Sequence, residues 1–119
     1  MVLVVGCNQE DTARDMSADQ VVKAHFKYWN EKDFSELEGT ISPDRKGITW
    51  ELNKLEYVKL ISIKEKNIGQ KNEKEFEVQF EIMFKNGYGS GLSNGKYNWT
   101  YLLKRDSDSS PWLIYDWGV

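Results

Sequence analysis

The chain is poor in residues that build compact chemistry. It has one cysteine in 119 residues, which excludes an internal disulfide framework and a multi-cysteine zinc site. It has one histidine, His25, so nitrogen and sulfur ligands are too few for a structural zinc centre. It has no surplus of positive charge: 16 lysines and arginines face 19 acids, a net charge of -3. Binding to a phosphate backbone needs a basic stripe, and lysines here alternate with acids, as in Glu73-Lys74-Glu75. The expectation is a solvated surface and no nucleic-acid partner. No apolar run approaches the roughly 18 residues that span a bilayer. Repeats, low-complexity tracts and a second domain are also missing, and the length suits one domain that buries its own core.

What is present starts at the N-terminus. Val2-Leu3-Val4-Val5-Gly6 runs into Cys7, and the polar stretch Asn8 to Thr12 follows at once. The plainer reading is a β-strand and an ordinary thiol. The functional reading is the end of a secretory apolar region cut before the cysteine. Leu3-Val4-Val5-Gly6-Cys7 resembles the lipobox of bacterial lipoproteins, in which a small residue precedes a cysteine that becomes diacylated. Two acyl chains anchor where one does not. Only six residues precede Cys7, with no Lys or Arg among them. The expectation is a truncated signal remnant and polar tether over 1–16 and a folded domain over 17–119. Lipid on Cys7 would hold that domain at the outer face of the cell membrane. The chain stays soluble if this short N-terminus is used as written.

Ser17-Ala18-Asp19-Gln20 reads as a capping box, and the spacing of Val21, Val22, His25, Phe26, Tyr28 and Trp29 predicts an amphipathic helix from Ala18 to about Lys32. Asp33 caps a short helix over Phe34 to Glu38, with Phe34 and Leu37 facing inward, and Gly39 ends it. Ser42-Pro43-Asp44 is a turn. Over 44–54 the alternation of Ile48, Trp50 and Leu52 fits either a brief strand or a loop. From Leu55 the period becomes two. Strands are expected at Leu55 to Lys66, Glu75 to Phe84, Lys96 to Arg105 and Trp112 to Trp117. The second has Phe76, Val78, Phe80, Ile82 and Phe84 on one face and Glu75, Glu77, Gln79 and Glu81 on the other. Asn94-Gly95 is a hairpin signal. Helices followed by long strands make an α+β domain, with helices packed on one face of a twisted, mainly antiparallel sheet.

The helix with Tyr28-Trp29-Asn30, the strands after it and the terminal Trp112-Leu113-Ile114 resemble the nuclear transport factor 2-like superfamily, also called ketosteroid-isomerase-like or cystatin-like. More narrowly, Leu55-Glu56-Tyr57-Val58-Lys59-Leu60, Ser90 to Thr100 and Pro111 to Gly118 are similar to a family of uncharacterised Gram-positive lipoprotein domains. The resemblance covers about Ser17 to Val119. It implies a cone: a strongly curved sheet around the helices, with a cavity at the wide end. It implies no one activity, since the superfamily includes isomerases, dehydratases and non-catalytic binders.

Candidate chemistry is sparse. His25 lies on the apolar side of the first helix, as a general base or as a hydrogen-bonded structural residue. Asp116 shares the alternation of Trp112 and Ile114. If those two face a cavity, desolvation would raise its pKa and make it a usable base. The isomerases of the resembled superfamily keep an aspartate in such a pocket, although on a different strand, and no second donor is evident here. Tyr28, Trp50, Tyr57, Tyr101 and Trp112 are candidates to rim a pocket for a small amphipathic ligand. The acidic row on the second strand reads as a wet face and not a metal site. Gly87 to Gly95 lacks the lysine and following helix of a phosphate loop. The sequon-like Asn98-Trp99-Thr100 is incidental in a bacterial strand. No cofactor is expected. The expected role is non-catalytic, with a small molecule or an envelope protein bound through the cavity or sheet face. One alternative is a small isomerase- or hydrolase-type enzyme using Asp116 with His25 or a tyrosine. Another is a module that forms a homodimer through its sheet.

Overall fold

The computed structural model describes residues 16–119. The anchor reading of Cys7 and the tether lie outside the described residues. Helix α1 spans Ala18–Glu31 and α2 spans Phe34–Glu38. Two single 3-10 turns, Pro43–Arg45 and Leu52–Lys54, bracket an irregular arm. Six strands follow: β1 Leu55–Lys66, β2 Glu73–Phe84, β3 Tyr88–Gly89, β4 Leu92–Ser93, β5 Gly95–Lys104 and β6 Leu113–Gly118. The main sheet has the order β1-β2-β5-β6 and every pairing in it is antiparallel. The architecture is α+β, an N-terminal helix on a four-stranded antiparallel sheet.

Helix α1 starts where the capping box predicts. The Gln20 side chain accepts the Ser17 N–H at 2.9 Å, a donor that a helix start leaves unpaired, and the Ser17 hydroxyl donates to the Asp19 carboxylate. That hydroxyl is the main cause holding the Asp19 carboxyl below its ordinary pKa. The helix stops at Lys32, which takes the left-handed conformation and sends its N–H back to Trp29 and Tyr28 carbonyls. Its buried face is Ala18, Val21, Val22, Ala24, His25, Phe26 and Trp29. In α2 only Leu37 is buried; Phe34, expected inward, is 53% exposed. A five-residue helix has one turn to dock, and Leu37 at its far end takes the buried position.

In β2 the alternation holds along the strand: Phe76, Val78, Phe80, Ile82 and Phe84 are all buried. Phe80 meets Phe26 at 5.2 Å and Trp29 at 6.0 Å between ring centroids, joining sheet to helix. β1 carries two register breaks, between Leu55 and Tyr57 and between Leu60 and Ser62. Each extra residue bends the strand and increases its twist. At the second break Ile61 is left exposed.

The hairpin turn is not at Asn94-Gly95. Gly89 pairs with Leu92, so the two-residue turn is Ser90-Gly91, and both take positive φ, 52° and 79°, as a primed turn requires. Asn94 instead clamps the hairpin base: its side-chain oxygen accepts the Phe84 N–H at 2.7 Å and its own N–H donates to the Gly87 carbonyl at 3.0 Å. Residues 46–51 form neither helix nor strand, so the arm is the loop alternative.

Candidate functional site

Candidate residues gather at the junction of α1, the chain after α2 and the two strands β5 and β6. Ile41 bridges Ile114 in parallel: the Ser42 N–H donates to the Ile114 carbonyl at 2.8 Å, and the Ile114 N–H to the Thr40 carbonyl at 2.9 Å. This bridge fixes Thr40 under α1. Its hydroxyl donates to the Leu37 carbonyl at 2.7 Å and stands 3.0 Å from His25 Nδ1. With its only proton committed to Leu37, the hydroxyl accepts, so His25 carries its proton on Nδ1. His25 is buried, and burial alone lowers its pKa to about 3. The imidazole is therefore neutral at physiological pH. Four rings surround it, Phe26, Trp29, Trp50 and Tyr101, with centroids 5.4 to 5.8 Å away.

Tyr101, a proposed pocket tyrosine, is buried against Phe26 and His25, and desolvation pushes its hydroxyl pKa up. Trp50 is buried between Trp29, His25 and Trp117. Tyr28 and Trp112 line a small cleft with Met16, Val21, Ala24 and Thr40, of about 70 Å³, room for two or three water molecules. The Arg105 guanidinium covers Trp112 at 4.6 Å. Tyr57 is not with these residues. It pairs with Met83, one position off the buried Val58–Ile82 pair, so it belongs to the outer sheet face, where its hydroxyl donates to Glu81 at 3.2 Å.

Asp116 departs from the expected alternation. Leu103 pairs with Ile114 but Leu102 pairs with Asp116, which leaves Tyr115 as an extra residue in β6. The bulge reverses the parity beyond it. Ile114 is buried, Trp117 turns in to stack on Tyr101 and Trp50, and Asp116 turns out. Its side chain is 55% exposed, 3.6 Å from Arg45, and it accepts the Trp117 N–H. It is not the carboxylate in an apolar setting that period-two reading suggests. His25 and Asp116 are not hydrogen-bonded to each other: the imidazole bonds to Thr40 and the carboxylate to Trp117. Among the described residues no three His, Cys, Asp or Glu side chains converge to hold a metal.

Two participants carry no local sequence signal. Thr40 is brought to His25 by the parallel bridge, a contact with no local signal. Trp117 enters through the bulge. On the outer sheet face, expected as a binding surface, the structure adds which residues meet: Lys64, Glu77, Gln79, Asn98 and Thr100 line an open groove of about 320 Å³. The period-two pattern of β2 marked its acidic row as wet, but sequence alone does not align the neighbouring strands.

Helix, antiparallel sheet and ring-filled junction define an α+β domain without a metal cluster or an assembled catalytic dyad among its described residues. Comparison with family models adds the family. The chain matches the model described as a domain of unknown function (DUF4829) over residues 19–75 and 50–118, and it belongs to that family. No curated protein and no solved structure matches.

Proposed function

We propose that this is a non-catalytic domain of the bacterial envelope, tethered through lipid on Cys7, which binds a partner on the outer face of its sheet. The observation that carries this reading is the contrast between its two faces. Inside, rings pack the space between α1 and the sheet, and the apolar cleft beside α1, closed by α2 and Trp112, holds only about 70 Å³, far below the roughly 300 Å³ that small-molecule pockets begin at. Outside, the sheet presents a polar groove of about 320 Å³. A protein surface suits an open face of alternating Lys, Glu, Gln and Asn better than a small apolar ligand does.

The bulged β1, the helix laid on one sheet face and the Ile41–Ile114 bridge support a nuclear transport factor 2-like cone whose interior is filled. The enzyme alternative has less support: His25 is sealed and neutral, and Asp116 faces solvent beside Arg45. Homodimerisation would use the same outer face, with a second copy as the partner.

A photo-crosslinking residue at Gln79, in the full-length lipoprotein in its own envelope, tests the reading. One discrete adduct is expected from Gln79 and none from Lys27 on the exposed side of α1. An adduct at the mass of two chains identifies a homodimer. Equal, diffuse labelling from both positions refutes a sheet-face site. Mass spectrometry of Cys7 in the same preparation tests the anchor, and an unmodified thiol in the full-length chain defeats it.

A further inference from the structure

The arm between the two 3-10 turns is held in an unusual way. Gly47, Ile48 and Thr49 make no backbone–backbone hydrogen bond among the described residues. Lys46, Gly47 and Thr49 are exposed, and the Trp50 ring is the arm's buried anchor. That ring lies against Trp29 at 5.2 Å, His25 at 5.7 Å and Trp117 at 6.2 Å, the last nearly parallel. Its indole nitrogen is buried without a partner, and so is that of Trp29. An unpaired buried donor is costly, so the bound position of Trp50 is a compromised one, and withdrawal to water would satisfy its N–H.

The arm also has pivots and a latch. Gly47 and Glu51 take φ of 94° and 52°, and the second is strained for a residue with a side chain. Two contacts from the β3–β4 turn hold that end. The Ser90 hydroxyl donates to the Trp50 carbonyl, and the Glu51 carboxylate accepts the Ser90 N–H. The backbone of the arm is thus held by few hydrogen bonds, and what restrains it is the apolar packing of Trp50, Ile48 and Leu52, so opening exchanges that packing for hydration of the Trp50 N–H.

The geometry points to Trp50 as a removable plug: the 46–51 arm swings out on Gly47 and Glu51 and uncovers a cryptic pocket walled by His25, Trp29 and Trp117. The vacated space has the shape of a planar bicyclic ring. Its walls are aromatic and uncharged, with the Trp29 N–H free to donate. The ligand class is a flat, neutral heteroaromatic bearing a hydrogen-bond acceptor. This goes beyond the sheet-face reading and is tested apart from it.

Quinoline, planar and with a ring-nitrogen acceptor, is the probe. The protein carries five tryptophans, and 5-fluorotryptophan labelling gives each a fluorine signal. Titration of the wild type should move the Trp50 line saturably towards its solvent-exposed position, shift Trp29 and Trp117, and leave Trp99 unchanged. Ser90→Ala removes one latch bond and raises the open fraction, so the quinoline midpoint should fall by about 5-fold. A Trp50 line that stays fixed to the solubility limit of quinoline overturns the proposal. So does movement of Trp112 alone, which places the probe in the small cleft, or an unchanged midpoint in Ser90→Ala. Photo-crosslinking at Gln79 is indifferent to all of these outcomes.

Discussion

Acidification from pH 7.5 to 5 should destabilise this domain through one residue, His25. In the folded state burial lowers its pKa to about 3, while in the unfolded chain it titrates near 6.5. Below pH 6.5 the unfolded state therefore binds a proton that the native state refuses. Stability is greatest above pH 6.5 and is lost as pH falls towards 3. At 1.36 kcal/mol per unit, the one and a half units between pH 6.5 and 5.0 cost about 2 kcal/mol. The window is clean because His25 is the only histidine. Asp19 and Glu51, whose carboxyls the Ser17 hydroxyl and the Ser90 amide hold below their ordinary values, also withdraw stability in acid. They do so progressively below about pH 5, as the unfolded carboxylates take up protons, so the loss above that pH belongs chiefly to His25.

Urea denaturation at pH 7.5, 6.5, 5.5 and 5.0, followed by tryptophan fluorescence, measures this directly. With a slope of roughly 1–3 kcal/mol per molar urea for a small domain, the midpoint should drop by about 0.7–2 M across the series. His25→Gln removes the titration, so its midpoint starts lower, through lost packing, but stays level over the same range. A wild-type midpoint that moves by under about 0.2 M, or a variant that slopes as steeply as the wild type, refutes the sealed and neutral imidazole.

Other substitutions read separate parts of the structure. A Cβ on the buried Gly89 would sit 2.6 Å from Phe84 Cδ1, so Gly89→Ala should cost about 2 kcal/mol by overpacking; Gly91→Ala, with open space around it but φ of 79°, should cost about 1 kcal/mol, and equal losses in thermal melts would contradict the difference in cause. Asn30 accepts the Val58 N–H at 3.0 Å, and Asn30→Ala should cost about 1 kcal/mol and speed hydrogen exchange at that amide; unchanged exchange there argues against the contact. Phe34→Ser should change stability by under about 0.5 kcal/mol, because the ring is exposed; a large loss in urea titration would mean that it is packed.

Much of the fold was legible because β2 and α1 each bury one face. A strand with Phe76, Val78, Phe80, Ile82 and Phe84 on one side has a single register that keeps them dry. The start of α1 was equally plain, since Ser17 and Gln20 act within one turn. Legibility ended where a residue's place depends on distant chain. His25 was correctly put on the apolar side of α1, but Thr40, its hydrogen-bond partner, arrives through a bridge to β6. Trp50 alternates with Ile48 and Leu52 as a strand would, yet it is held by tertiary ring contacts and the Ser90 latch. Tyr57 looked like a pocket tyrosine only because residue type carries no information about sheet face.

The clearest failure of local reasoning, at Asp116, also explains how the interior is filled. Strict alternation from Trp112 and Ile114 would put a carboxylate among His25, Tyr101 and Trp50, where desolvation is costly unless a cation or donor accompanies it. One extra residue at Tyr115 reverses this. The carboxylate reaches solvent and Arg45, and the same shift delivers the Trp117 ring onto Tyr101 and Trp50. Arg45 then lies 4.7 Å over the Trp117 ring as well as beside Asp116, so the 3-10 turn before the arm is tied to the bulged strand. The bulge thus does two things at once: it keeps charge out of the ring cluster and brings in the ring against which Trp50 rests. A domain built this way has exchanged a polar interior site for an apolar one, and any ligand admitted there must compete with the protein's own tryptophan.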